Sequence, residues 1–141
     1  MRNKAPLALM EQLIMVLVFA LAAALCLQVF IFSDRASRRN EAVDRAVLEA
    51  QKAAESLKSV RGDFALAAEL HGGSYDGRTW GRLYNEDWEL EHGDKGAYCL
   101  LATPADSGAV LLGSAEVTVC TAKGDVLVSL PVAWQEVDGR G

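Results

Sequence analysis

Hydrophobic positions change their rhythm twice along this chain. From Leu7 to Phe32 every residue is apolar except Glu11, Gln12 and Gln28, and no face of a helix would be polar. The uncharged run Gln12–Ser33 holds 22 residues. As a helix it would be roughly 33 Å long at about 1.5 Å per residue. A hydrocarbon core is roughly 30 Å thick and takes about 20 predominantly apolar residues, so the run fits a membrane span. A secretory signal would have an apolar region of about 7–15 residues and then small residues for cleavage. Here the stretch is longer, and Phe30, Ile31 and Phe32 stand where the small residues should be. The pattern therefore predicts a basic leader over 1–6 and a retained transmembrane helix over 7–33.

Past Ser33 the rhythm becomes one-sided. Val43, Ala46, Val47, Ala50, Ala53, Ala54, Leu57 and Val60 recur at the spacing of one helical face. Arg38, Arg39, Arg45, Lys52 and Glu55 lie largely off that stripe. Asp34 with Arg38, and Glu41 with Arg45, are acid-before-base pairs four residues apart, which suit an exposed helix surface. No Pro or Gly falls between Ser33 and Val60, so the span is expected to run straight into an amphipathic helix over 34–60. Gly62 suits the position after a helix and Asp63 the cap of the next, a short helix over 64–70 closed by Gly72 and Gly73. The Arg61-Gly62-Asp63 tripeptide is read as helix punctuation and not as an adhesion signal.

Beyond Gly73 the period shortens to two. Asp87–Glu91 and Ala97–Thr103 read as a hairpin about the turn His92–Gly96, and Pro104–Gly108 as a loop. Along Gly113–Thr121, Ala115, Val117 and Val119 alternate with Glu116, Thr118 and Cys120, as in a strand with one wet face. Val126–Gln135 places Val126, Val128, Leu130, Val132 and Trp134 on one side. Pro131 cannot donate a ladder hydrogen bond and marks this strand as an edge, or as carrying a bulge. A sheet of three to four strands over 87–136 cannot bury its apolar face alone, and the amphipathic helix is its natural cover. The expected fold is α+β: a long N-terminal helix, half transmembrane and half amphipathic, packed on a C-terminal antiparallel sheet within one domain, 34–141.

Charge is segregated. Asp34–Arg61 holds seven basic and five acidic residues; from Gly62 onward there are five basic and thirteen acidic. An acidic domain without a basic patch argues against direct binding of nucleic acid. Arg35, Arg38 and Arg39 after the span compete with Arg2 and Lys4 before it, so the positive-inside rule leaves orientation open. Of the three cysteines, Cys26 reads as a small apolar filler of the span. Cys99 and Cys120 fall in strand-like segments and are either a disulfide or two free thiols. No metal-ligand spacing, nucleophile–base pair or phosphate-binding loop is visible, so neither an enzyme, a metal nor a cofactor is expected.

Overall the chain resembles type IV pilins and the pseudopilins of type II secretion and competence systems, especially their minor subunits. The residues that carry the resemblance are Leu7-Ala8-Leu9-Met10-Glu11-Gln12-Leu13-Ile14, similar to the family's Phe-Thr-Leu-Ile-Glu-Leu start, together with the basic leader, the two-part helix and the closing strand around Leu130–Glu136. The resemblance implies processing between Pro6 and Leu7, which would make Glu11 the fifth residue of the mature chain. It also implies a cytoplasmic N-terminus, an extracytoplasmic domain, and other pilin-like subunits or a platform protein as partners beside membrane lipid. Prepilin peptidase cuts after Gly, and Pro6 departs from that pattern; an uncleaved leader is the alternative this departure implies.

Glu11 carries most of the functional weight. A carboxylate in an apolar span costs about 2.5–3.5 kcal/mol on insertion scales unless it finds a partner. In the resembled family that partner is the N-terminal amine of the neighbouring subunit. The plainer alternative places Glu11 at the membrane edge, reaching headgroups and water. His71 and His92 read as loop residues. Trp80, Tyr84, Trp88 and Tyr98 read as filling between sheet and helix, with a binding groove as the alternative. The acidic residues Glu86, Asp87, Glu89, Glu91 and Asp94 lack the loop pattern of a calcium site and read as a solvated hairpin. Two classes of function remain, a subunit of a pilin-like fibre and an unprocessed membrane-anchored accessory protein that binds a partner through its acidic sheet.

Overall fold

The computed structural model describes residues 4–136, so Arg2 of the leader and the last five residues lie outside the described residues. Eight elements follow in chain order: α1 (Ala5–Ser59), α2 (Phe64–His71), β1 (Ser74–Tyr75), β2 (Trp80–Tyr84), β3 (Leu90–Glu91), β4 (Tyr98–Ala105), β5 (Leu112–Thr121) and β6 (Val126–Gln135). They group into two compact units, Met1–Asn40 and Glu41–Gly141.

In the first unit none of the described residues of α1 is buried. Pro6 sits in its first turn, where a missing N–H costs nothing because the helix leaves that donor unpaired anyway. Every side chain from Lys4 to Asn40 is exposed, with Phe19, Phe30 and Phe32 each about three-quarters accessible. Among the described residues this is the one helix long and apolar enough to cross a membrane. It is compatible with a single-pass membrane protein.

The second unit has the expected α+β architecture. Ala46, Ala50, Ala53, Ala54 and Leu57 form the buried stripe of α1, and α2 adds Phe64 and Ala67. Facing them from the sheet are Trp80, Tyr84, Leu100, Ala102, Ala115, Val117, Val119 and Val132. Small residues on the helix stripe meet large ones on the sheet, such as Trp80 and Tyr84, in one buried cluster. Helix α1 ends in a Schellman arrangement. The Gly62 amide bonds to Leu57 O at 2.8 Å and the Arg61 amide to Lys58 O at 3.1 Å. The left-handed position next to the helix is therefore Arg61 (φ 53°), one residue before the glycine the sequence suggested. Asp63 caps α2, its Oδ1 accepting from the Leu66 amide at 3.0 Å.

The sheet is antiparallel throughout, in the order β1-β2-β4-β5-β6, with β3 also on β2. Six strands stand where three to four were expected, because β1 and β3 are two-residue additions to four longer ones. The sheet begins at Ser74 and not near residue 87. The expected hairpin partner of β4 is also corrected: β4 pairs with Trp80–Tyr84, from Trp80↔Ala102 to Tyr84↔Tyr98. Asp87 lies in a turn instead. Asn85 Oδ1 accepts from the Asp87 and Glu89 amides, both at 2.9 Å, and Trp88 takes a left-handed φ of 63°. Only Leu90–Glu91 is extended there, and it folds back on β2. Pro104 and Ala105, expected in a loop, are the last residues of β4.

Strand β6 is an edge, as Pro131 required, but the irregularity lies elsewhere. Val119 pairs with Val128 and Cys120 with Val126, which leaves Leu127 as the extra residue of a bulge. Leu127 joins Val128 against the core, and Val126 turns to solvent, contrary to the alternation expected of it.

Candidate functional site

Pro6, Leu7 and Glu11 lie on the first turns of α1. Lys4, Leu7, Ala8, Met10, Glu11, Ile14 and Met15 share one stretch of helix surface there. Glu11 is exposed and, among the described residues, makes no ion pair with Lys4. Its neighbours one turn away, Leu7, Ala8, Met15 and Ile14, are all apolar. The carboxylate is thus the only charged group on the apolar stretch, and among the described residues it has no ion-pair partner.

In the second unit the polar chemistry concentrates where α1 meets β2. Period two on β2 sends Trp80, Arg82 and Tyr84 to the same face. Tyr84 is buried, and its hydroxyl donates to Glu49 Oε2 at 3.0 Å, tying strand to helix. Glu49 Oε1 accepts from Lys52 Nζ at 2.6 Å. Burial pushes the Tyr84 phenol well above its ordinary range; the Arg82 charge opposes this and Glu49 reinforces it. The Arg82 guanidinium carbon lies 5.9 Å from the Trp80 ring centre and 5.4 Å from that of Tyr84, within cation–π range of both. Its Nε is buried without a hydrogen-bond partner. Trp80 Nε1 donates to Gly72 O at 2.9 Å, which fixes the α2–β1 turn.

Of the four aromatic residues singled out from sequence, Trp80 and Tyr84 fill the contact between sheet and helix. Trp88 and Tyr98 stack on each other, 4.0 Å apart at 14°, and Trp88 also leans on Tyr84 at 5.8 Å. Packing accounts for all four. His71 closes α2 and His92 lies in the β3–β4 loop, both exposed, with no shared site. Among the described residues no three of His, Cys, Asp and Glu converge as a metal-binding group; of the acidic run, Asp87 and Glu89 belong to the Asn85 turn and Glu91 to β3. Cys99 and Cys120 are register partners on β4 and β5, bonded through sulfur with Cα atoms 5.3 Å apart.

No family model, curated protein or solved structure matches this chain. Function must therefore be argued from the residues.

Two residues of the Tyr84 cluster escaped the sequence reading. Glu49 lies on the edge of the alanine stripe, three residues after Ala46 and four before Ala53, which is where a helix carboxylate can reach a strand hydroxyl. Arg82 sits between two aromatic residues at strand spacing, a pattern that marks a cation flanked by rings once the segment is known to be extended. Gly81, its second residue, hid the strand.

Proposed function

We propose that the chain is a pilin-like, single-pass membrane subunit that joins a short fibre, or the base of one, in a type IV pilus, competence or type II secretion-like assembly. Its N-terminus lies in the cytoplasm and the domain 34–141 outside, with other pilin-like subunits or a platform protein as partners. The observation that carries this reading is Glu11, the one charge on an apolar, exposed stretch of helix and without an ion-pair partner among the described residues. Insertion penalises such a group, so a partner from a neighbouring chain stabilises it and sets the register of helix against helix. The α+β domain that follows agrees with the layout of the resembled subunits.

Glu11→Ala tests the reading directly. Removing the charge makes the span more apolar, so membrane insertion should persist. Crosslinking between cysteines placed along Leu13–Leu27 of adjacent chains should fall at least tenfold. Undiminished crosslinking would leave Glu11 as an interfacial anchor and remove the support for assembly.

Pro6 favours a second reading, an unprocessed accessory protein that binds a machinery component through its acidic sheet. Intact mass separates the two. A chain beginning at Leu7 with a methylated amine belongs to the fibre reading, and a chain that keeps residues 1–6 belongs to the accessory one.

A further inference from the structure

Cys99 and Cys120 sit opposite each other in the β4–β5 ladder, which runs through eight register pairs from Tyr98↔Thr121 to Ala105↔Ser114. The loop between Ala105 and Leu112 closes one end of that ladder. The cysteine pair closes the other, one rung inside its open end. Their chain neighbours Leu100 and Val119 are fully buried, so alternation puts both sulfurs on the sheet face away from the core. Just at Cys120 the next ladder slips, because the β5–β6 bulge falls between Val119 and Cys120. Strand β5 is therefore held irregularly by β6 at the very place where β4 holds it covalently. A slip of one residue would turn Ala115, Val117 and Val119 out of the core, so this is where register most needs fixing.

We infer that Cys99 and Cys120 are a thiol-oxidation site, served by a disulfide-donating oxidoreductase on the extracytoplasmic side of the membrane, and that the oxidised pair clamps β4 and β5 in register. One cysteine thiolate attacks the donor's disulfide, forms a mixed disulfide and releases one donor thiol. The second cysteine, also deprotonated, attacks the sulfur of its partner in that mixed disulfide; the Cys99–Cys120 bond forms and the donor's other thiol leaves. Two electrons and two protons pass to the donor. Cytosolic thiols are kept reduced, so the bond requires the domain to lie on the oxidising side. Only this orientation is shared with the proposed function. The clamp does not depend on fibre assembly.

The full-length chain carrying Cys26→Ala leaves Cys99 and Cys120 as its only cysteines. Membranes from cells producing it are denatured in excess maleimide-polyethylene glycol, with and without prior reduction. Without reduction the expected result is no adduct, and after reduction two per chain. Two adducts without reduction would overturn the site. The clamp is read separately in Cys26→Ala/Cys99→Ala/Cys120→Ala, where trypsin in detergent should cut within the domain at least tenfold faster. Cleavage at the parental rate would overturn the clamp. A chain that carries the bridge yet fails to crosslink through its span would sink the assembly reading and leave this one standing.

Discussion

Residues 4–40 and residues 41–136 handle apolar surface in opposite ways. In the first unit the apolar side chains are mostly large, with small ones such as those at 20, 22–24 and 26, and all the described ones are exposed, in every direction. In the second, the helix offers the sheet a stripe made almost wholly of alanine, and the bulk comes from Trp80, Tyr84, Leu100, Val117 and Val119 across the contact. A helix with apolar residues all round asks for an apolar solvent, which lipid provides. A helix with a small-residue stripe asks for one shaped partner. The same polypeptide backbone therefore carries two different instructions, one for an environment and one for a surface. The unit that packs covers its apolar face with its own elements, whereas the apolar stretch of the other keeps the Glu11 carboxylate exposed.

The sharpest way to break that comparison is Leu57→Asp. Leu57 is fully buried at the C-terminal end of the alanine stripe, within the core that contains Val117, Val119 and Val132. An unpaired carboxylate there should cost about 3–5 kcal/mol or abolish folding of the domain. The span should be untouched. Thermal melting of the full-length chain in detergent should show loss of the domain transition while helix signal from the span persists. An unchanged melting temperature would mean that Leu57 faces something other than this sheet.

Gly113→Val probes how closely the second unit is packed. A Cβ on Gly113 would lie 2.2 Å from Trp134 Nε1, and one on Gly62 would lie 2.1 Å from Trp134 Cζ2. The indole is thus pressed between two glycines from different elements, with Phe64 edge-on at 6.4 Å. Adding Val at 113 forces the ring away and should cost about 1–3 kcal/mol. Trp134→Leu in the same chain should recover part of that loss, and a denaturant-melting cycle measures the coupling. Strict additivity of the two substitutions would show that the indole does not depend on Gly113 for its place.

Much of this organisation was legible in the sequence. The apolar and amphipathic halves of α1 and the strands β5 and β6 rest on periodicity, and Asp63 on capping chemistry, all of them local properties. β2 and its partnership with β4 were not legible, because Trp80-Gly81-Arg82-Leu83-Tyr84 has a glycine where a strand pattern needs a side chain. Asp87–Glu91 offered a closer partner in sequence. The structure rejects it because Asn85 caps a turn over those residues and leaves only two of them extended. The bulge at Leu127 could not be read either, since both registers of β6 offer apolar residues. At the candidate site, Glu11 was visible as a charge out of context. Glu49 gains meaning only from its bond to Tyr84, 35 residues away, which periodicity does not report, and Arg82 only once Trp80–Tyr84 is known to be extended.

Tyr84→Phe gives the smallest effect and the most specific one. It removes the one hydrogen bond from the sheet to Glu49 while keeping the ring, so the loss at neutral pH should be about 1 kcal/mol. The pH dependence carries the information. Burial raises the Tyr84 phenol above its ordinary value of 10.0, Arg82 opposing and Glu49 adding. An acid whose folded-state pKa is raised holds its proton more tightly in the fold than in the unfolded chain. Its contribution is therefore full below pH 10 and declines as the pH climbs past that value toward the raised one. The wild-type chain should lose domain stability above pH 10 faster than Tyr84→Phe does, so the gap between them narrows as alkalinity increases. Charges elsewhere titrate alike in both chains and cancel in the difference. Denaturant midpoints of the two proteins, compared at neutral pH and at about pH 11, measure that gap. If it stays constant across the range, the phenol reaches solvent in the folded chain, and the contact between α1 and β2 is looser at this end than the packing of Trp80 and Leu57 implies.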